Sequence, residues 1–243
     1  MKKAIGYVYV IAAAVCWGFL GLFNRVLTAA GVSLLNMMPL RFGGTAILFT
    51  VFCMMFKQQV FHIKLRHLPI FLGSGLISML LVLCGCALVS GIVGSDVGIS
   101  LEGLLMGLAS ELCYGGYTIF THYGMRYCDS FTMAYWTFLI AGIASLFLAD
   151  GPALLSALAE PRTGLAALGL MVMGTALPFT LYTKGLETVE SGKAAIIANI
   201  EPVMSAVIGV TVFQETLGLW TLVGIVLVLS GLVVLACEKE PDK

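Results

Sequence analysis

Five stretches of the 243-residue chain run for 20 residues or more without an Asp, Glu, Lys or Arg: 4–24, 68–95, 130–149, 163–183 and 216–237. An α-helix needs about 20 apolar residues to cross ~30 Å of hydrocarbon, so each stretch is long enough to span a bilayer. Three further apolar stretches each carry one internal charge: 35–56 with Arg41, 102–125 with Glu111, and 193–214 with Glu201. Together they predict an all-α membrane protein, a polytopic bundle of about eight transmembrane helices joined by short turns. Composition agrees. Charged residues make up 11% of the chain, against about 25% in a soluble domain, too few to cover a water-facing surface. Thirteen basic residues balance thirteen acidic ones, which leaves no net field for phosphates and excludes nucleic acid as a partner. The seven cysteines contain no CxxC pair, so neither a disulfide framework nor a zinc site is predicted. No metal or cofactor is expected.

Lys and Arg set the orientation, because cytoplasmic loops collect them. With the N-terminus inside, ten of them (Lys2, Lys3, Lys57, Lys64, Arg66, Arg126, Lys184, Lys193, Lys239, Lys243) fall on the cytoplasmic side, while Arg25 and Arg162 fall outside. Both termini are therefore expected in the cytoplasm and the chain in the plasma membrane. The first apolar run continues past Ala12-Ala13-Ala14 to Phe23, which favours a retained span over a cleaved signal peptide.

The segment Val15-Cys16-Trp17-Gly18-Phe19 recurs as Leu112-Cys113-Tyr114-Gly115-Gly116, at an offset of 97. The same offset pairs Gly6 with Gly103, Ala12 with Ala109, Phe23 with Phe120 and Ser33 with Ser130. The charge-derived topology sends the first span outward and the fourth inward, so the repeats are inverted. That arrangement suits a protein with two alternative states, one open to each side.

An ionisable group at bilayer depth is costly unless paired or hydrated, which makes it a functional candidate. Glu111 lies ~14 Å into its span and Glu201 ~12 Å, at 1.5 Å per residue. Arg41, ~9 Å from the outer end of its span, is within snorkelling range. Glu111 heads a polar stripe with Tyr114, Gly115, Thr118 and His122, while Trp17, Gly21 and Asn24 make a stripe on the first span. Such faces suit a cavity wall, although a protonated Glu111 bonded to a neighbouring helix would serve the bundle equally well. Glu201 precedes Pro202, which cannot donate to the Ala198 carbonyl; the pair can shape a kink, or bind a cation, a proton or a substrate amine. Pro178 predicts another kink. Glu187, Lys193 and Glu215 sit at span ends and read as interfacial anchors. Enzymatic readings are weak: Gly73-Ser74-Gly75 and His122 lack any spacing that joins them, and neither an HExxH nor a phosphate-binding loop is present.

Two segments carry a family resemblance: TALPFTLYTKGLE from Thr175 to Glu187, and ANIEPVMSAVIGVTVFQE from Ala198 to Glu215, followed by Gly224 and Gly231. With Trp17-Gly18 and Arg41-Phe42, they resemble the EamA-like family of the drug/metabolite transporter superfamily. The resemblance covers the second half fully and the first half in part. It implies a secondary transporter of about ten helices in two inverted five-helix repeats, exporting a small metabolite, amino acid or drug-like compound by alternating access. It also places Trp17, Arg41, Tyr114, Asn199, Glu201 and Pro202 near the cavity or its gates; Glu111 and Asn24 are candidates on depth and spacing alone. The expected partners are a small-molecule substrate and the lipid bilayer, with proton coupling and a homodimer as further options. The competing reading is a transport-inactive truncated membrane protein or assembly partner.

The third span reads as a composite. Leu72-Gly73 aligns with Leu168-Gly169 at an offset of 96, but Val82-Leu83-Cys84-Gly85 aligns with Val228-Leu229-Ser230-Gly231 at an offset of 146. The jump of 50 residues equals about two spans. Residues 1–94 are therefore expected to form a truncated three-helix first repeat and 95–243 a five-helix second repeat, an incomplete inverted-repeat transporter fold.

Overall fold

The computed structural model of the chain describes residues 2–89 and 101–237; the side chains of 81–89, 101–104, 234–237 and a few other helical residues, Glu111 among them, lie outside the description. Helices stand at all eight expected positions. They are α1 (Ala4–Ala29) and α2 (Leu35–Phe56), α3 (Leu68–Val89), α4 (Leu101–Gly124) and α5 (Ser130–Leu148). A short helix not anticipated from the sequence, α6 (Gly151–Leu158), precedes α7 (Pro161–Gly185), α8 (Ser191–Phe213) and α9 (Leu219–Cys237). Among the described residues, five of these, α1, α2, α5, α7 and α8, are long and apolar enough to cross a membrane, and shorter apolar helical stretches cover Leu68–Leu80 and Thr221–Val233. The chain is an all-α membrane bundle.

Local chemistry sets where the helices begin. The Asp129 carboxylate accepts the N–H groups of Phe131 and Thr132 at 3.2 and 3.4 Å, capping α5 where four backbone donors would otherwise lack partners. Asp150 caps α6 through Ala153 N–H at 3.3 Å, and Pro161 opens α7, where a missing N–H costs nothing.

Four spans are not regular helices. In α1 the ladder tightens after Gly18, with Phe19 N–H donating to the Cys16 carbonyl at 3.1 Å. In α2 a π-helical turn covers Pro39–Gly43. In α7 a second π-helical turn covers Val172–Ala176, just before Pro178. In α8 the helix breaks at Asn199, three residues ahead of Pro202. The π-helical turn before Pro178 and the break before Pro202 lie in the turn from which each proline withdraws a hydrogen bond.

The spans pack into one body, with α1 against α7 and α8, α3 against α4 and α5, and α9 on α8. The centre is filled by fully buried rings of Phe42, Tyr117, Phe138 and Tyr182, while Leu27, Ala167 and Leu170 form a second cluster between α1 and α7. The two ends of the bundle differ. At the end carrying 57–67 and 126–132, the helices surround an open recess of about 1320 Å³. At the other end Arg25 and Glu215 form an ion pair beside a gap of only about 20 Å³.

Candidate functional site

The centre of the bundle is built by two helical triplets facing one tryptophan. On α4, Tyr114, Tyr117 and Thr118 stand at i, i+3 and i+4; on α7, Phe179, Tyr182 and Thr183 repeat that spacing, so each triplet occupies one face. Trp17, at the break in α1, lies between them. Its ring centroid is 6.3 Å from Tyr114, 5.1 Å from Phe179 and 5.4 Å from Tyr182, mostly in the edge-to-face geometry that ring quadrupoles favour.

The hydroxyls tie this cluster together. Tyr117 meets Thr183 Oγ1 at 3.4 Å. The Thr118 hydroxyl donates to the Tyr114 carbonyl at 3.0 Å, so at its 3.2 Å contact with the Tyr182 hydroxyl it is the acceptor. The Tyr182 proton is thereby committed. The Tyr114 hydroxyl is in loose contact with the Tyr182 hydroxyl, which can accept its proton, while the buried Trp17 Nε1–H has no hydrogen-bond partner among the described residues. Buried polar atoms are nearly always satisfied, and an unmet donor beside a loosely held hydroxyl leaves room for an incoming polar group or water.

Arg41 borders the cluster. Its Nε–H donates to Thr175 Oγ1 at 3.2 Å, while the Thr175 hydroxyl itself donates to the Leu170 carbonyl at 2.9 Å. The guanidinium carbon lies 5.7 and 5.9 Å from the ring centroids of Phe42 and Phe179, within cation–π range. Arg41 and Thr175 each occupy a π-helical turn, a distortion frequent at functional sites.

The remaining candidates fall at differing distances from this centre. Glu201, half-buried on α8, acts electrostatically on Tyr114. Glu111 is three residues before Tyr114 on α4, but its side chain lies outside the described residues. Asn199 and Pro202 are exposed, and the Asn199 amide donates to the Ala195 and Ile196 carbonyls at 3.2 and 3.3 Å, closing the helix break. Asn24 is half-buried and offers its backbone carbonyl to Thr28 at 2.9 Å. The hydroxyl of Ser74 is bonded to Thr137 at 2.6 Å, while His122 is exposed, so the serine helps to join α3 to α5. Sequence reasoning missed Tyr117, Thr175, Phe179 and Tyr182; the α7 triplet lay inside the resembling segment, and its spacing was the available signal.

The sequence model of the EamA-like transporter family matches residues 101–237. The chain belongs to the EamA-like transporter family. The match covers α4 to α9 and so includes Tyr114, Thr175, Tyr182 and Glu201. Relatives are an uncharacterized transporter of Archaeoglobus fulgidus, 40% identical over 68 residues, covering 28% of this chain and 25% of the relative. The uncharacterized transporter YwfM of Bacillus subtilis is 27% identical over 174 residues, 70% of this chain and 57% of the relative. The uncharacterized inner membrane transporter YicL of Salmonella typhimurium is 25% identical over 154 residues, 60% of this chain and 48% of the relative. The chain thus spans between a quarter and 57% of the length of the curated relatives it matches. No solved structure matches it. With its apolar helices and this family, it is a multi-pass membrane protein.

Proposed function

We propose that this EamA-like chain is a secondary transporter, exporting a small metabolite, amino acid or drug-like compound by alternating access, with both termini in the cytoplasm of a plasma-membrane protein. The observation that carries the reading is the buried Trp17 N–H without a partner among the described residues, set beside a Tyr114 hydroxyl held only loosely by Tyr182; the two residues match in sequence at the 97-residue offset. A substrate between inverted repeats meets such equivalent side chains in both states. Aromatic faces would hold its apolar part, the Trp17 N–H and Tyr114 hydroxyl would fix a polar group, and Arg41 and Glu201 would supply charge at the margins. The contrast between a recess at one end and the Arg25–Glu215 pair at the other fits a state open to the side of the basic loop.

The 50-residue jump in repeat offset supports a truncated first repeat at 1–94 and a full second repeat at 95–243. A second reading follows from it: a chain inactive alone, completed by a second copy or another subunit. The near-continuous exposure of α9, with Val226 and Leu227 both 65% exposed, gives such a partner an apolar face to cover.

Efflux of a panel of labelled amino acids and metabolites from cells expressing the chain separates the two readings. Export above an empty vector, lost in Trp17→Ala without loss of membrane insertion, supports transport. Insertion with no export supports the assembly reading.

A further inference from the structure

The recess at the basic end of the bundle has a chemistry of its own. Six basic side chains line it: Lys57 and Lys64, His62 and His67, Arg126, and Lys184. They come from three separate segments, the 57–67 connection, the turn after α4 and the end of α7. Membrane topology requires only that positive charge lie on one side; it does not require the charges to converge on one concavity.

The acidic groups nearby are already committed. Asp129, the carboxylate lining the recess, accepts the N–H groups of Phe131 and Thr132 and the Thr132 hydroxyl. Glu187 is paired with Lys184 at 2.8 Å. Among the described residues Lys57, Lys64 and Arg126 have no ion-pair partner. Aromatic rings hold several of the basic groups in place: the Lys57 ammonium lies 4.7 Å from the Phe131 centroid, Arg126 lies 5.4 Å from Tyr123, and His67 stacks on Tyr127 at 4.4 Å. Lys57 and Arg126, held by their rings, together with Lys64 outnumber the single Asp129 charge and would focus positive potential into the concavity.

We infer that this recess is a binding site for a phosphate-bearing ligand. A single carboxylate is saturated by one guanidinium fork, whereas a phosphate presents oxygens to several donors at once. Lys57, Lys64 and Arg126, reaching in from different segments, match that demand, with the imidazoles of His62 and His67 as further donors. The phosphate can belong to a soluble ester or to the headgroup of an anionic lipid at the membrane surface. The site is independent of transport, since occupancy requires no turnover.

Equilibrium binding of inorganic pyrophosphate to the full chain in nanodiscs of pure phosphatidylcholine tests the inference. Saturable binding is expected, weakened by roughly tenfold or more in Lys64→Ala/Arg126→Ala, which removes two charge-assisted contacts. Both residues are exposed, so the variant keeps the fold. Arg162→Ala, which removes a charge at the opposite end, should leave binding unchanged. A second arm adds phosphatidylglycerol to the discs. Pyrophosphate binding weaker there than in discs given the same charge by oleate identifies the lipid headgroup as the occupant, and equal binding in the two identifies a soluble phosphate. No saturable pyrophosphate binding in neutral discs, or equal binding by the wild type and Lys64→Ala/Arg126→Ala, overturns the inference. Neither result depends on export, so failure here leaves the proposed transport untouched.

Discussion

Trp17 and Tyr114, separated by 97 positions and matched in sequence at the offset that pairs Val15–Phe19 with Leu112–Gly116, meet edge to face with ring centroids 6.3 Å apart. A pseudo-twofold axis lying in the membrane plane would bring equivalent residues together at the centre. The buried Trp17 N–H has no partner among the described residues, and the Tyr114 hydroxyl is held only loosely by Tyr182. The sequence match and an unmet donor thus coincide at one point.

Substituting Trp17 separates its packing role from its polar one. Trp17→Phe keeps a ring against Phe179 and Tyr182 and removes a donor that has no partner, so stability should change by less than about 1.5 kcal/mol. Trp17→Ala opens a cavity in the aromatic cluster and should cost about 3–5 kcal/mol. Thermal unfolding of the purified chain measures both. A loss of export in Trp17→Phe, with unfolding unchanged, would assign the N–H to substrate.

Much of the fold was legible because charge-free length is a direct requirement of hydrocarbon thickness. The α7 helix at Pro161–Gly185 overruns the charge-free stretch 163–183 by two residues at each end, since Arg162 in the first turn and Lys184 in the last reach water from the helix ends. The α6 helix was missed because eight residues after Asp150 are too few to show a helical period. Both π-helical turns escaped as well. One inserted residue barely disturbs an apolar pattern, and only Pro39 and Pro178 hinted at them. At the centre, repeat matching found Trp17 and Tyr114, while Thr175 was invisible: a neutral hydroxyl in a helix carries no signal until Arg41, 134 positions away, is seen to donate to it.

That contact gives a second test. Thr175→Val removes both the acceptor for Arg41 Nε–H and the donor to the Leu170 carbonyl. The loss should be about 1–3 kcal/mol, the cost of leaving buried groups unsatisfied. Thr175→Ser keeps the hydroxyl and should recover most of it. Equal unfolding temperatures for Thr175→Val and the wild type would show that the pair contributes nothing.

Glycines of the bundle should divide by what faces them. A Cβ on Gly185 would lie 2.5 Å from Val10 Cγ2 and 3.0 Å from the Gly6 carbonyl, where α7 crosses α1. Gly185→Ala is expected to destabilise by about 1–3 kcal/mol through overpacking. Nothing stands within 4 Å of a Cβ on Gly231, and Gly231→Ala should be neutral or stabilising by up to about 1 kcal/mol. If both variants unfold alike, close α1–α7 packing is not what Gly185 serves.

Cys128, which lines the recess beyond the end of α4, reports on its surroundings through pH. Burial, and then the Asp129 charge, push its thiol up to about 11. A raised thiol pKa disfavours the thiolate, so at neutral pH the reactive form should be about a hundredfold scarcer than for an ordinary cysteine. With the other cysteines replaced by alanine, maleimide labelling should be slow at neutral pH and climb about tenfold per pH unit until it approaches that pKa. Rapid labelling at neutral pH, levelling off as for a cysteine placed at the exposed Gln58, would contradict this burial.

At the opposite end, Arg25 and Glu215 test whether a weak pair can act as a latch. The left-handed Gln214, with φ of 56°, ends α8, and Glu215 N–H donates to the Gly209 carbonyl at 3.1 Å, which turns the Glu215 side chain toward α1. The Arg25 guanidinium also lies 4.4 Å from the Phe213 ring centroid. Both side chains are about half exposed, so the pair should add no more than about 1 kcal/mol to stability. A latch, however, needs only a small energy difference between two states. Ile208 is buried beside the narrow gap that this pair borders, and a cysteine placed there should be shielded from an impermeant reagent in the otherwise unaltered chain. Arg25→Gln and Glu215→Gln should each raise its labelling several-fold with little change in unfolding temperature. The charge-swapped double variant, Arg25→Glu with Glu215→Arg, should return labelling toward the original rate, because the attraction is restored with its direction reversed. Identical labelling in all four backgrounds would mean that packing of α1 against α8, not the ion pair, closes this end.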